Sequence, residues 1–519
     1  MENGSTGLRL PPAPIFVLMA GLILSGISFQ ASSFAIGDQA GGWHVSADTA
    51  SWYSTAYAMA EAAILPLAPL LITACSMRRV AAIAASLFAA AALLLLTQDS
   101  PQLAVALRAI QGAASGIIAV TMMVGVMQSM PPGPSRNLGL ALFAFASSVS
   151  TGFGAWASAW LSQLGWHGLF GFDLAWTLAY IAGVLAVLPR TPLRAELLRE
   201  ADWPGTLVLA ASLALGLLVL NQGERRFWWD SDLITWAAIL AMSLFGASLI
   251  LMALRPRPLL DLTLLARRSF GWAILGALMF RFGLLVCGFV MPQVLTRLQG
   301  FRDTQIAGAT LWQIAAHLLA FPLAWWIMRR GWHRVVLASG LLCFAWSAGL
   351  SAFMSPDWQA ADFRLIVLLA GAGQGLFLTA TICFATAGIG PAQGATAAVL
   401  FNLGRSIGAA AATAVVGNVV SVREKFHSSV LVEAIGDGAQ ATLERLAQLA
   451  QALQPLSPDA AAVQAQATAS LAASVAQQSF VLAYNDAFLV IAILLAVAAR
   501  LATLLPALPA EAPREGSAP

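Results

Sequence analysis

Apolar stretches long enough to cross a membrane alternate with short polar connections along almost the whole chain. A membrane-spanning helix needs about 20 consecutive, mainly apolar residues. On this criterion, hydropathy predicts fourteen spans. The predicted spans are 14–36, 49–73, 80–97, 102–127, 137–161, 168–188, 204–221, 232–254, 270–295, 305–328, 334–354, 363–387, 395–420 and 480–505. We therefore expect an all-α integral membrane protein.

One long segment interrupts the apolar pattern, between the last two spans. Residues 421–479 are polar to amphipathic, and stretches such as ATLERLAQLAQALQ favour helix, with breaks near Pro455 and Pro458. Two interpretations stay open for this insert: a solvated helical hairpin without a special role, or a docking surface for an extracytoplasmic partner. Residues 506–519 are expected to form a disordered cytoplasmic tail.

The composition agrees with a membrane protein. The 519 residues are 59% hydrophobic and 10% charged, with a mean hydropathy of +0.79. Soluble domains carry about 25% charged residues, so most of this chain is expected to be embedded in lipid. The net charge is +3, and the arginines are scattered rather than grouped in runs that could follow phosphates. Nucleic acid is therefore not an expected partner.

Several classes of chemistry lack their residues in this chain. A P-loop needs G-K-[ST], but the only lysine is Lys425, which follows Glu424. The H-E-x-x-H, G-x-S-x-G and nucleotide-binding motifs are absent, which argues against an enzyme. The four cysteines lie far apart without C-x-x-C spacing, which argues against a metal site. We expect no metal and no cofactor, and any pumping would have to use an ion gradient.

The distribution of basic residues predicts the orientation in the membrane. Arg108, Arg281 and Arg405 lie deep within predicted spans and are set aside. With both termini cytoplasmic, 16 of the remaining Lys and Arg residues flank the inner side and 8 the outer side. We expect a multi-pass protein of the inner, or plasma, membrane, and for such a protein the positive-inside rule predicts that both termini lie in the cytoplasm.

A weak internal repeat suggests two related halves. The sequence GAASGI, Gly112–Ile117, aligns with GAGQGL, Gly371–Leu376. Internal repeats are common in secondary transporters. We expect six-span bundles at 1–190 and 269–505, with a linker and an extra helix pair at 191–268. Chance similarity between two Ala/Gly-rich helices remains the alternative.

The segment LRAIQGAASG places an arginine inside an otherwise apolar span. A charge at membrane depth is costly and usually faces a protein interior or a wet cavity. At helical spacing, Arg108, Gln111 and Ser115 share one side, while Gly112 and Gly116 form a pair that permits close helix packing. Arg108 either has a functional role or simply ties helices together.

Six short motifs occur in the order and at the spacing of one transporter family. They are LRAIQG from Leu107, GWHGLFGFDL from Gly165, ADWPG from Ala201, PLLDLTLLARRSF from Pro258, VLFNLGRSIGAA from Val399 and AYNDAF from Ala483. The first is similar to R-x-x-Q-G of the family's fourth span, the second to W-R-W-x-F-x-x-N before the sixth, and the fifth to N-x-x-R-x-x-G of the thirteenth. Over nearly its whole length, the chain resembles the fourteen-span drug:proton antiporters of the major facilitator superfamily.

This resemblance implies a fold, a function and partners. The implied fold is two six-helix bundles plus two extra central helices. The implied function is proton-coupled efflux of small organic or drug-like compounds by alternating access, with the lipid bilayer as the surrounding partner. For Arg108 the resemblance implies a role in proton transfer or in its coupling to helix movement. Together with the long insert, it also suggests a periplasmic membrane-fusion adaptor and an outer-membrane channel.

The chain departs from the family pattern at three places. Gln30, in FQASSF, occupies the position where the family usually carries an acid in the first span. The loop after the second span keeps Arg78 and Arg79 but lacks the family's aspartate and glycines, and the fifth span lacks the G-P-x-x-G-G signature. These departures favour, as the alternative function, an uncoupled or differently coupled facilitator of a specific metabolite. A non-transporting scaffold or a channel is the alternative from another class.

Polar residues from both halves are predicted near the middle of the membrane. They are Glu61, Arg281, His317, Gln374, Asn402 and Arg405. Transporters of this build bind substrate at that level, between the repeats. Gln30, Tyr57 and Trp312 are further candidates for the substrate site, although tryptophans near span ends also form the interfacial belt.

Glu61 is the best candidate for the coupling proton because a carboxyl at mid-depth could bind and release a proton as the site alternates. The alternative is a fixed ion pair with Arg281 or Arg405. His317 could also carry a proton, but it could equally be an interior histidine with satisfied partners.

Overall fold

The computed structural model describes residues 13–130, 134–255, 260–436, 440–456 and 459–505. Within these ranges the chain is helical and contains no strand. The α-helices are α1 (Ala13–Phe34), α2 (Ile36–Gly42), α3 (Ala47–Ile64), α4 (Ala68–Cys75), α5 (Met77–Thr97), α6 (Pro101–Ser129), α7 (Pro134–Leu161), α8 (Gly168–Val187), α9 (Ala195–Glu200), α10 (Trp203–Gln222), α11 (Asp232–Ala253), α12 (Arg268–Leu285), α13 (Met291–Gln299), α14 (Asp303–Met328), α15 (His333–Ser351), α16 (Arg364–Thr386), α17 (Pro391–Gly436), α18 (Gln440–Leu453) and α19 (Ala460–Thr503). A π-helical turn, Val286–Val290, joins α12 to α13.

Thirteen of the described helices are long and apolar enough to cross a membrane. The bent pair α3 and α4, with an angle of 56° between them, makes up to fourteen. The bend falls at Pro66, because proline has no N–H to continue the helix. The predicted all-α, multi-pass membrane protein is confirmed.

The last two spans continue well beyond their predicted ends at 420 and 480. Helix α17 runs for 46 residues, or about 69 Å at ~1.5 Å per residue. Helix α19 begins at Ala460, and α18 packs against it. Ala- and Gln-rich sequence has high helix propensity, which explains why these helices continue. Pro455 lies in a short 3₁₀ helix, whereas Pro458 and the tail 506–519 lie outside the described residues.

The described parts of 421–479 thus project from the bundle as a helical hairpin, whose base is fixed by polar contacts. Arg423 Nε donates to Asp486 Oδ2 at 2.5 Å, and His427 Nε2 lies 2.7 Å from the same oxygen. Ser479 Oγ donates to Glu424 Oε1 at 3.2 Å. These contacts join α17 to α19 where the two helices leave the bundle.

Both ends of the described chain lie at one end of the bundle, here called the terminal end. Leu18 of α1 meets Gly125 near the end of α6, and Met127 of α6 meets Gly394 at the beginning of α17. Helix α19 returns alongside α17 from the hairpin, so it finishes at the same end. The opposite end, which carries the helical hairpin, is called the hairpin end.

The same close helix crossing occurs twice in the chain. A Cβ added at Gly112 of α6 would overlap the carbonyl oxygen of Tyr57 in α3. A Cβ added at Gly371 of α16 would overlap the carbonyl oxygen of Gln313 in α14. Only glycine permits backbones to approach this closely. The aligned sequences GAASGI and GAGQGL therefore occupy equivalent contacts.

One turn further along, the two crossings carry different chemistry. A Cβ at Gly116 would lie 3.4 Å from Glu61 Cγ, and a Cβ at Gly375 would lie 3.1 Å from His317 Nδ1. Glu61 follows Tyr57 by four residues, as His317 follows Gln313. The repeat therefore places a carboxyl in one crossing where the other has an imidazole.

The crossings predict a specific cost for added bulk. Gly112→Ala and Gly371→Ala should each destabilise the protein by about 1–3 kcal/mol, because each methyl group would push against a backbone carbonyl. Gly246→Ala is the matched control, since no atom lies within 4 Å of its added Cβ. The measurement is the thermal midpoint of the purified protein in detergent. Equal midpoints for Gly112→Ala and Gly246→Ala would contradict the close crossing.

The arrangement of α17 and α18 predicts the sidedness of two positions. Gly390 directly precedes α17 at the terminal end, whereas Ala441 lies in α18 at the hairpin end, and both are exposed. Single cysteines at these positions, in a background without the native cysteines, should react with an impermeant maleimide from opposite sides of the membrane. Labelling of both from one side would overturn the fourteen-span arrangement.

Candidate functional site

A cavity of about 1540 Å³ lies between the helices and opens at the hairpin end. Helices α1, α3 and α7 line one wall, and α12, α17 and α19 line the opposite wall. Exposed residues at its mouth include Asp38, Gly41, Arg225 and Thr304. The cavity is therefore reached from one end of the molecule.

At the terminal end, the same helices close against each other. Arg136 Nη2 donates to the carbonyl oxygen of Ile389 at 3.5 Å. The rings of Phe143 in α7 and Phe401 in α17 lie 6.5 Å apart, centre to centre, in an edge-to-face arrangement. Both rings are fully buried. These contacts connect the first part of the bundle to the last and seal the cavity below its floor.

Three charged side chains from opposite walls reach the floor of the cavity. Glu61 comes from α3, Arg281 from α12 and Arg405 from α17, and both arginines act electrostatically on the Glu61 carboxyl. Arg281 Nε donates to the carbonyl oxygen of Arg405 at 3.1 Å, and Arg405 Nη1 donates to Asn402 Oδ1 at 3.3 Å. Among the described residues, Glu61 makes no ion pair within 4.0 Å. The acid and the two cations thus face each other across the cavity without contact.

Glycine contacts bring these charges to the floor. Gly116 lets α6 pack directly behind Glu61. A Cβ at Gly408 of α17 would lie 2.8 Å from Leu278 Cα and 3.3 Å from Arg281 Cγ. The lack of a side chain at Gly408 therefore draws α12 against α17 and sets Arg281 beside Arg405.

Aromatic and amide groups complete the wall contributed by α1 and α3. Tyr57 and Phe29 line the cavity with ring centroids 5.0 Å apart. Gln30 also lines it, and α1 is pressed against α7 where Gly154 meets Gln30 Cβ. The predicted site residues that line this cavity are Gln30, Tyr57, Glu61, Arg281, Asn402 and Arg405.

Three predicted site residues from the second half of the chain do not line the cavity. Gln374 accepts from Gln313 Nε2 at 2.8 Å and donates to the carbonyl oxygen of Ser148 at 3.1 Å. His317 is buried and stacks on Phe145 at 5.3 Å. Trp312 is 46% exposed on the outer face of α14. The position of each residue along its span predicted its depth in the membrane. It did not predict how α14 and α16 are rotated about their axes, and this rotation turns the three side chains toward other helices or outward.

Arg108 lies behind the cavity wall rather than in the cavity. It is 1% exposed, its Nη1 donates to Gln111 Oε1 at 2.7 Å, and its guanidinium carbon lies 4.8 Å from the centre of the Tyr57 ring. Arg78 Nη1 donates to the carbonyl oxygen of Leu188 at 3.3 Å, whereas Arg79 is exposed. Arg108 is the one of these arginines that lies next to the site.

The sequence analysis missed Asp173 of α8. This carboxyl is fully buried, accepts from Ser28 Oγ at 2.9 Å, and interacts electrostatically with Arg108. A signal was present in the sequence, because Asp173 occupies the Asn position of the W-R-W-x-F-x-x-N stretch. An acid in place of an amide within an apolar span indicates a buried charge that needs a partner.

Comparisons with known proteins agree with this geometry. The family profile described as Major Facilitator Superfamily matches residues 18–413. The chain is 21% identical over 502 residues to the colistin resistance protein EmrB of Acinetobacter baumannii, covering 95% of this chain and 96% of the relative. It is 24% identical over 456 residues to the multidrug export protein EmrB of Haemophilus influenzae, covering 83% and 86%.

A solved structure shows the same fold. The human organic anion transporter MFSD10 superposes with a TM-score of 0.55 at 14% identity, covering 93% of this chain and all of that one. The repeated helix crossing and the cavity between the two sides of the bundle fit this architecture, and the family profile spans most of the chain. The chain therefore belongs to the major facilitator superfamily of transporters.

Proposed function

We propose that the protein is a proton-coupled exporter of small organic, drug-like compounds, working by alternating access in the inner membrane. One observation carries the proposal: Glu61 faces Arg281 and Arg405 of the opposite wall at the floor of a cavity open at one end only. The relatives named as multidrug export and colistin resistance proteins support export as the direction. With both termini cytoplasmic, as the basic residues indicate, the cavity opens to the outside.

The cavity suits amphipathic compounds rather than one small metabolite. Its volume of about 1540 Å³ exceeds the ~300–1,000 Å³ of common ligand pockets. Apolar and aromatic side chains such as Phe29, Tyr57 and Phe301 alternate with hydroxyl and amide groups around it. We propose that Gln30, Tyr57, Asn402 and the charged floor contact the substrate.

Protonation of Glu61 would control the attraction between the two sides of the bundle. When ionised, Glu61 is drawn toward Arg281 and Arg405, and when protonated it loses that attraction. An ion pair closing to ~4 Å is worth about 1 kcal/mol in water and about 4 kcal/mol at an effective dielectric constant of ~20. Since about 1.4 kcal/mol changes an equilibrium constant tenfold, one proton is enough to shift the balance between open and closed states.

Glu61→Gln should abolish accumulation driven by a pH gradient while leaving substrate binding and downhill exchange intact. The amide keeps the shape of the side chain but cannot exchange a proton. Glu61→Asp should retain part of the activity with a shifted pH optimum. The measurement is ethidium transport into everted membrane vesicles with an imposed pH gradient.

Asp38→Asn is the matched control, because Asp38 is an exposed acid at the mouth of the same cavity. It should transport like the unmodified protein. Normal gradient-driven accumulation in Glu61→Gln would exclude Glu61 as the coupling site.

An uncoupled or differently coupled facilitator is the second candidate. It is favoured by Gln30, an amide that lines the cavity where relatives with the family pattern carry an acid. A facilitator would transport equally well when the pH gradient is collapsed. A channel fits less well, since the described helices close the terminal end beneath the cavity.

We also propose that the helical hairpin docks a periplasmic membrane-fusion adaptor, and through it an outer-membrane channel. Apolar side chains stay exposed along the outer part of α17, with Val422 at 56%, Phe426 at 51% and Val430 at 47%. They recur every four residues and so lie along one side of the helix. An exposed apolar stripe in a polar segment favours a protein partner.

Replacing residues 434–473 with a short Gly/Ser linker should separate the two activities. Ethidium transport by inner-membrane vesicles should persist, because the cavity lies outside the replaced segment. Resistance of whole cells should be lost, because the apolar stripe alone, without α18 and the outer ends of α17 and α19, would not hold the adaptor. Unchanged whole-cell resistance at equal protein abundance would show that the hairpin is not required for docking.

A further inference from the structure

Asp173 is a buried carboxyl that the proposed mechanism has not used. It is fully buried in α8, and its Oδ2 accepts a hydrogen bond from Ser28 Oγ of α1 at 2.9 Å. The amide of Gln111 lies beside the carboxyl as a donor, but the geometry between Gln111 Nε2 and Asp173 Oδ1 is not that of a well-formed hydrogen bond. Among the described residues no well-formed hydrogen bond reaches Asp173 Oδ1, so a proton could bind there at little cost in hydrogen bonding.

Arg108 is the cation that faces this carboxyl. Its guanidinium interacts electrostatically with Asp173, but the two form no ion pair within 4.0 Å in the described structure. Arg108 Nε also lacks a hydrogen-bond partner. The attraction between two opposite charges grows as they approach each other, and protonation of the acid removes it.

Few other groups can influence this pair. Helix α1 carries no titratable side chain. The titratable side chains of α5 and α7 lie only in the first turn of each helix, at the terminal end. Helix α6 contributes only Arg108, and α3 contributes Tyr57, which interacts with both Arg108 and Asp173. Helix α8 itself adds Tyr180 two turns away, and His167 at its beginning stacks on Trp166. The charge of Asp173 is therefore governed mainly by Arg108 and Tyr57.

The pair is connected to the floor of the cavity. Tyr57 lines the cavity and carries the Arg108 guanidinium against its ring. Glu61 lies one turn further along α3 and interacts electrostatically with Tyr57. A series of interacting side chains thus leads from the floor of the cavity into the interior of the six-span bundle at 1–190. The series is Glu61, Tyr57, Arg108 and Asp173.

We infer that Asp173 is a second proton-exchanging carboxyl, so that the transporter moves two protons for each substrate. This inference rests on the proposed proton coupling. The chain has an amide at Gln30 and an acid at Asp173, where the family pattern has an acid and an amide respectively, and Ser28 ties Asp173 to the helix that carries Gln30. The acid missing from α1 is thus supplied by α8.

The proton balance is simple. A proton from the outer solution binds Asp173 Oδ1 while the cavity is open at the hairpin end, and it leaves when the site opens at the terminal end. The bond that forms on proton binding and breaks on proton release is the O–H bond at Asp173 Oδ1. Glu61 lines the cavity and controls the attraction between its two walls, whereas Asp173 lies outside the cavity and follows the movement of Arg108. Glu61 therefore remains essential for coupling, and Asp173 sets the number of protons.

The test is the thermodynamic limit of ethidium accumulation, which does not depend on rate or abundance. Purified full-length protein is placed in proteoliposomes, with the membrane potential held at zero and a tenfold proton gradient imposed. Two protons per substrate support a final ethidium ratio of about 100, and one proton supports about 10. The unmodified protein should reach the first limit and Asp173→Asn the second.

Asp202→Asn is the matched control, because Asp202 is also a buried acid but serves as the N-cap of α10. Asp202→Asn should keep the two-proton limit. Asp173→Glu should also keep that limit, but its pH profile should be displaced. An unchanged limit in Asp173→Asn would overturn the inference and leave the proposed function intact. If Asp173→Asn does not fold, the other proteins still decide. A one-proton limit in the unmodified protein overturns the inference. A two-proton limit in the unmodified protein that is retained in Asp173→Glu supports it. No gradient-driven accumulation in the unmodified protein would overturn the proposed coupling and the inference together.

Discussion

A carboxylate in the membrane interior that faces two arginines across a wet cavity is the constraint on which the rest of the structure depends. Charges at this depth are expensive, and they persist where partners or water compensate them. Here the acid and its cations belong to opposite sides of the bundle, and they are held apart while the cavity is open at the hairpin end. In the proposed mechanism, the attraction between Glu61 and the arginines acts between two parts of the protein, and binding of a single proton to Glu61 removes it.

Glycine contacts convert this electrostatic force into defined geometry. Gly112 and Gly371 bring two helix pairs to the same close crossing, and the following glycines set one side chain against each. The internal repeat thus produces the same backbone arrangement twice. In one copy the side chain at the crossing is the acid Glu61, which lines the cavity, and in the other it is His317, which packs against an aromatic ring.

The sequence predicted the parts of this arrangement that depend on hydropathy and spacing. Span number, helical class and the depth of Glu61, Arg281 and Arg405 follow from apolar length and from ~1.5 Å per residue. It could not predict how each helix is rotated about its axis, because that depends on packing between distant segments. For this reason Trp312 was expected at the cavity and lies on the outer face instead. Asp173 stands out in the sequence as an acid at the amide position of a motif, but the sequence does not show that α8 brings it to Arg108.

The most direct measurement of the central claim is the distance across the mouth of the cavity as a function of pH. Spin labels at Gly41→Cys and Thr304→Cys, both exposed at the mouth, report it by pulsed electron resonance. The account predicts longer distances at low pH, where Glu61 is protonated, shorter ones at high pH, and a distribution that no longer changes with pH in Glu61→Gln. An equal pH dependence with and without the Glu61 carboxyl would contradict it.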